Sequence, residues 1–266
     1  IESKNIINIE SGKSYSNSFY NPTQYVVSSG FISLQSVNLT GNIVVVSNSK
    51  IQVEASSLLK DVILVAPEVE VQNNVRGNFQ AIAGKSIEVG KDVGLSYPSA
   101  LVLINKETTS HTNSLEQMNH IYIDEHSEIK GVVLYQGKSL SKNYTSQIEI
   151  NENTKIIGEV YCNDNTSLKG EVFGTVYTNN FITKAYGSIY QNHLLNAQMT
   201  IDSLPEQYVG LNLKNSKKLL KLIYDYKNMN ESMRKKHNRV IDRTVNAKYS
   251  LEDNKEGALE IFDENN

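Results

Sequence analysis

The chain has 266 residues, 39% hydrophobic and 21% charged, with 15 glycines and only 4 prolines. This balance suits a soluble folded protein and excludes collagen-like or proline-rich disordered chains. The formal net charge of −3 implies no global polyelectrolyte role. The longest aliphatic run, Val62 to Ala66, falls far short of the roughly 20 residues needed to cross a bilayer. Cys162 is the single cysteine, so no internal disulfide can form and stability must come from packing and hydrogen bonds. As a small hydrophobe it is expected to point into a core.

Residues 1–40 are rich in Ser, Asn and Tyr, with alternation at Tyr25-Val-Val27 and Phe31-Ile-Ser-Leu34. This region is read as an irregular N-terminal cap over an open strand edge, because an uncovered edge invites unwanted pairing. Residues 41–211 carry the dominant signal, which is repetition. Ile51-Gln-Val53, Val69-Glu-Val71 and Ile87-Glu-Val89 recur every 18 residues, each with the period-2 alternation of a strand that has one inward face. Ile121-Tyr-Ile123, Ile129-Lys-Gly131 and Val133-Leu-Tyr135 return 27 residues later as Ile148-Glu-Ile150, Ile156-Ile-Gly158 and Val160-Tyr-Cys162.

The small unit apolar-x-Gly-x-apolar appears at Val75–Phe79, Ile129–Val133, Ile156–Val160, Leu168–Val172 and Ala185–Ile189. Glycine there allows backbone angles that a side chain would obstruct. Regular intervals of this kind predict a coil of parallel strands in which Ile51, Val69 and Ile87 stack as one ladder, with Gln52, Glu70 and Glu88 facing water. Each buried Val or Ile contributes roughly 1.5–3 kcal/mol, which offsets the cost of ordering the chain. An antiparallel sandwich also alternates, but gives no reason for fixed intervals. The segments from Glu107 to Asn119 and from Lys138 to Gln147 break the period and are read as loops leaving the coil.

Runs such as Val75 to Val93 and Lys155-Ile-Ile-Gly-Glu-Val-Tyr161 resemble the repeats of bactofilins and related polymer-forming bacterial β-helices. The tract from Gly187 to Leu211 is similar to the end of β-helical ectodomains of membrane-anchored Bacteroidetes envelope proteins. The resemblance spans roughly Gly41 to Tyr190. It implies an all-β, single-stranded right-handed β-helix (β-solenoid), here with a C-terminal α-helical appendage. It also implies residence in the bacterial cell envelope, outside the cytoplasm, with attachment through an N-terminal segment preceding Ile1.

Residues 212–266 change character and are read as a basic helix followed by an acidic tail. Leu219, Leu222, Ile223, Tyr226 and Met233 fall at helical spacing, predicting a helix over Lys214–Arg243. That stretch holds seven lysines and three arginines against Asp225, Glu231 and Asp242, a net of +7, and Thr244–Asn266 carries −4. Lys217, Lys218, Lys221, Arg234, Lys235 and Lys236 are therefore the candidate partner-binding residues. They would face either the acidic body of the protein, which the helix would cap and neutralise, or a protein partner or an anionic membrane surface. A nucleic acid is not expected, since no recognised binding motif accompanies the charge.

Catalytic and cofactor signatures are not met. Gly12-Lys-Ser14 lacks the glycine that a phosphate loop needs five residues earlier, where Ile7 stands. A polysaccharide lyase must hold acidic sugars, yet Arg76 is the one arginine before Asn212. His111, His120, His126 and His193 do not show metal-ligand spacing, and Asp124-Glu125, adjacent in sequence, should point to opposite faces of a strand. The sequons at Asn38, Asn143, Asn165 and Asn230 are the chance matches of an Asn- and Ser-rich chain. No catalytic residue, metal or cofactor is assigned.

The function expected is that of a non-catalytic scaffold, a structural or assembly module that docks other envelope proteins or copies of itself. The competing expectation is a carbohydrate-binding or carbohydrate-active protein whose groove is lined by Tyr15, Tyr20, Tyr122, Tyr135, Tyr161 and Tyr177.

Overall fold

A computed structural model describes residues 5–105, 119–137 and 144–200. All belong to the first of two compact units into which the chain divides, Ile1–Gly210. The strands are β1 (Ser14–Asn17), β2 (Gln24–Ser28), β3 (Ile32–Leu34), β4 (Asn38–Gly41), β5 (Ile43–Ser47), β6 (Lys50–Val53), β7 (Leu58–Val71) and β8 (Arg76–Val89). They continue as β9 (Gly94–Ile104), β10 (His120–Ile123), β11 (Glu128–Gln136), β12 (Ile148–Ile150), β13 (Lys155–Leu168), β14 (Glu171–Ala185), β15 (Ser188–Gln191) and β16 (Gln198–Thr200). Every pairing among them is parallel except the β14–β15 hairpin.

The ladder expected from the 18-residue interval is present. Ile51 of β6 pairs with Val69 of β7, and Val69 with Ile87 of β8. Beyond the repeat the same ladder continues through Ile121 and Ile148 to Thr166. Ile51, Val69, Ile87, Ile121 and Ile148 are all essentially solvent-free. A second inward ladder runs Val45, Leu64, Ala81, Leu101, Val133 and Val160, fixed by the same register. Side chains alternate in and out along each strand, so stacking in register turns scattered apolar positions into one continuous core.

The architecture those ladders build differs from the expected single-stranded right-handed β-helix. The hydrogen-bond path β8-β10-β12-β13-β11-β9-β8 returns on itself and encloses six parallel strands as a closed barrel, and the other ten strands lie outside it. The cause is the length of β8 and β13, each 14 residues. The first half of β8 pairs with β9 and its end with β10, while β13 pairs likewise with β11 and β12. The repeat interval specifies which side chains stack but not where a strand stops, and two uninterrupted strands with two partners each close the ring. No α-helix occurs among the described residues, and the helix expected over 214–243 lies outside them.

Corners are made by residues that tolerate left-handed backbone. Asn74, Asp92, His126 and Asn153 have φ between +55° and +64°, a region that Asn, Asp and His enter more readily than other side chains. Buried hydroxyls satisfy the backbone there: Ser127 Oγ accepts from Val93 N and donates to Gly90 O, and Thr154 Oγ1 donates to Asp124 O. A glycine ladder makes another bend. Gly131, Gly158 and Gly174 pair in register with φ of +142°, +149° and +144°. A Cβ on Gly158 would stand 1.9 Å from the Gly131 carbonyl oxygen. Gly158→Ala should therefore lower unfolding free energy by roughly 2–4 kcal/mol in a urea titration. Gly84→Ala should stay within about 1 kcal/mol of wild type, since nothing lies within 4 Å of a Cβ there.

Candidate functional site

The outward faces of the ladders differ sharply in chemistry. Across β3, β6, β7, β8, β10, β12 and β13, one outward column reads Ser33, Gln52, Glu70, Glu88, Tyr122, Glu149 and Ser167. Parallel register places Glu70 next to Glu88, an unfavourable pair, and Lys50 beside them offsets the repulsion. Its Nζ is 2.5 Å from Glu70 Oε2. Its pKa is raised, first by that hydrogen bond and then by Glu70, Glu88 and Glu68 acting through space against desolvation. Lys169 Nζ lies 3.6 Å from Glu149 Oε1. From Gln52 to Glu149 this column is a polar surface on which Lys50 and Lys169 partly offset three carboxylates, and it ends at the buried Ser167.

The outward face of β2, β5, β7, β8, β9, β11, β13 and β14 is the opposite. One column runs from Val27 through Val46, Val65, Ile82, Val102 and Leu134 to Tyr161 and Tyr177. Every one of these eight positions is apolar or aromatic, and all are at least partly open to solvent. Two residues earlier on each strand, a second column carries Tyr25, Val44, Ile63, Ala100 and Val132, with Gln80, Glu159 and Thr175 as its polar members. Glu159 is the single carboxylate in the two columns. Continuous runs such as Ile43-Val-Val-Val46 and Ala100-Leu-Val-Leu-Ile104 are the pattern of parallel strands covered on both faces. Here the inner face is covered by the core.

The columns that border this face are mixed, with Ile157, Phe173 and the exposed Ile104 standing among polar residues. On one, Thr23 Oγ1 donates to Asn42 Oδ1 at 3.0 Å, and Asn78 Nδ2 to Asp61 Oδ1 at 2.7 Å. On the other stand Gln136, Asn163 and Asn179, with Asn179 Nδ2 donating to Asn163 O at 2.8 Å. At one end the Tyr161 and Tyr177 rings lie 6.4 Å apart at 47°, within the range of favourable aromatic pairs.

Inside the fold, the aliphatic interior gives way to a polar cluster near its last layers. Asn165 and Thr166 are fully buried. Asn165 Nδ2 donates to Thr145 O, its backbone N to Gln147 Oε1, and its Oδ1 accepts from Asn180 Nδ2. The sequon asparagine at 165 is thus sealed within the fold. Cys162 Sγ donates to Asn165 O at 3.4 Å. Burial pushes the Cys162 thiol up to about 12 against a lowering hydrogen bond from the Asp164 backbone, and the Tyr135 phenol also to about 12, the latter raised further by the Asp164 charge. Both stay protonated, and a protonated buried thiol is a poor nucleophile.

The remaining expected residues do not assemble into a site. Arg76 donates to the Val75 and Asp92 carbonyls at a corner. His120 begins β10, His126 sits at a left-handed corner, and His193 Nδ1 lies 2.9 Å from Gln191 O. Asp124 accepts from Glu125 N, while Glu125 pairs with Lys91. The tyrosines are scattered over Tyr15 on β1, fully exposed Tyr20, Tyr122 on the acidic column, Tyr135 inside, and Tyr161 with Tyr177 on the apolar face. Lys217, Lys218, Lys221, Arg234, Lys235 and Lys236, like His111, lie outside the described residues. No family pattern, curated protein or solved structure matches the chain.

The interior favours neutral Cys162 and Tyr135, whereas the unfolded chain releases their protons above the ordinary values of 9.0 and 10.0. Their contribution to stability is complete below pH 9 and is lost as pH rises toward 12. Cys162→Ser should flatten part of this alkaline loss, seen as a smaller drop in urea midpoint between pH of about 8 and about 10.5 than in wild type.

Proposed function

We propose that this protein is a non-catalytic structural or assembly module whose closed β framework docks protein partners through the outward apolar face of β2, β5, β7, β8, β9, β11, β13 and β14. The observation that carries the reading is the unbroken apolar column from Val27 to Tyr177, beside a second column in which Glu159 is the one carboxylate. Exposed apolar patches mark contact surfaces in soluble proteins. A framework stapled by parallel pairing has little to reorganise, so a partner bears mainly its own ordering cost.

The resemblance of the repeats to bactofilins and to β-helical envelope ectodomains supports a placement in the bacterial cell envelope. The protonated state of Cys162 and Tyr135 supports a structural role for the two buried groups that could otherwise act as nucleophile or acid.

A photoreactive amino acid replacing Val102, in the full chain at native abundance, should give covalent adducts of discrete mass on illumination. The same group at Gln52, on the acidic column, should give few. Equal labelling from both positions, or no adduct from Val102, would refute the docking role.

A further inference from the structure

We infer that Lys169 and Asn151 join through an isopeptide bond, a covalent tie between two strands of the closed ring that the folded chain forms by itself. The bond does not depend on what the apolar face contacts. Register brings its two ends together. β12 and β13 pair Ile150 with Leu168, so the corners that follow set Asn151 beside Lys169, 18 residues further along the chain. Lys169 Nζ donates to Asn151 Oδ1 at 3.3 Å, and Glu149 Oε1 lies 3.6 Å from the same nitrogen. Amine, amide and carboxylate thus meet at one point.

The surroundings single out Asn151. An ammonium only donates, so it holds the amide with oxygen toward Lys169 and Nδ2 turned away. Asn151 is 7% exposed, and among the described residues its Nδ2 is the one buried side-chain nitrogen or oxygen without a hydrogen-bond partner. Close by, the Tyr122 hydroxyl donates to Asp124 Oδ1 at 3.4 Å. It stays protonated, its pKa raised by burial and then by Asp124 and Glu149 against a lowering effect of Asn151. An orphaned buried donor is costly. Expulsion of Nδ2 as ammonia removes that cost together with the group.

Exchange of one amide for another needs no oxidant and no cofactor. Glu149 accepts a proton from Lys169, and the neutral amine attacks Asn151 Cγ. A small rotation of the amide brings that carbon to the roughly 3–3.5 Å at which attack begins. The new C–N bond forms while charge collects on Oδ1, and then the Cγ–Nδ2 bond breaks. The two protons that the lysine gives up pass by way of Glu149 to Nδ2, which leaves as ammonium. Lys169 and Glu149, 38% and 37% exposed, provide its path to solvent, whereas burial of Asn151 keeps water from attacking the same carbon. The product staples β12 to β13, so pulling these layers apart means breaking a covalent bond. That suits a structural module.

The full chain, held for days at neutral pH, should lose the mass of one ammonia, about 17 Da. Trypsin should then release a branched peptide that joins residues 143–155 to residues 156–184, uncut at Lys169. Closure of an asparagine onto its own backbone also expels ammonia, and Lys169→Arg separates the two reactions. Arginine keeps the positive charge but supplies no nucleophile, so this variant should retain its full mass. It should also melt several degrees below the cross-linked wild type, because the tie across 18 residues is missing. Glu149→Gln should slow cross-linking at least about tenfold. A wild-type chain that keeps its full mass, or ammonia loss that persists in Lys169→Arg, would overturn the inference.

Discussion

Parallel in-register pairing is the constraint on which everything else in this protein depends. Once residue 51 is fixed beside 69, and 69 beside 87, every side chain on those strands is assigned to the core or to water, because a slip of one residue would invert all of them. The consequence is chemical as well as mechanical. Register gathers residues that are far apart in sequence into columns of one character, so that Glu70, Glu88 and Glu149 share one surface while Val46, Val65 and Val102 share another.

Columns of like residues carry opposite costs according to their chemistry. Stacked aliphatic side chains gain area burial at each layer, whereas the stacked carboxylates Glu70 and Glu88 repel, and Lys50 relieves them. Stacked glycines have a third use. At Gly131, Gly158 and Gly174 the backbones approach so closely that no side chain fits, and the bend is repeated identically from layer to layer. Where the interior turns polar, around Asn165, Thr166 and Thr178, side-chain amides and hydroxyls take over the role of aliphatic packing by bonding to one another and to backbone, as buried polar groups must.

The apolar outward face is the one place where the alternation rule yields an incomplete answer within a single chain. An outward valine costs little by itself, but eight apolar or aromatic side chains in register make a continuous surface on which water gains little by remaining. Inward and outward apolar columns back to back are what a parallel sheet shows when both sides are covered.

The sequence by itself determined the all-β character, the ladder of Ile51, Val69 and Ile87, the glycines at the bends and the burial of Cys162, because each follows from local periodicity or from a residue's own backbone preference. It did not determine closure. The 18- and 27-residue intervals describe stacking, whereas the six-strand ring depends on β8 and β13 each keeping two partners along one unbroken strand, which is a property of length and curvature in space. Nor could it show the apolar face. Val44, Val65 and Leu134 look in sequence like ordinary strand residues next to core positions, and the run Val62–Ala66 gives no sign of which members point outward. Only the lateral register, set by pairings between residues 16 to 32 positions apart, gathers them on one outward face.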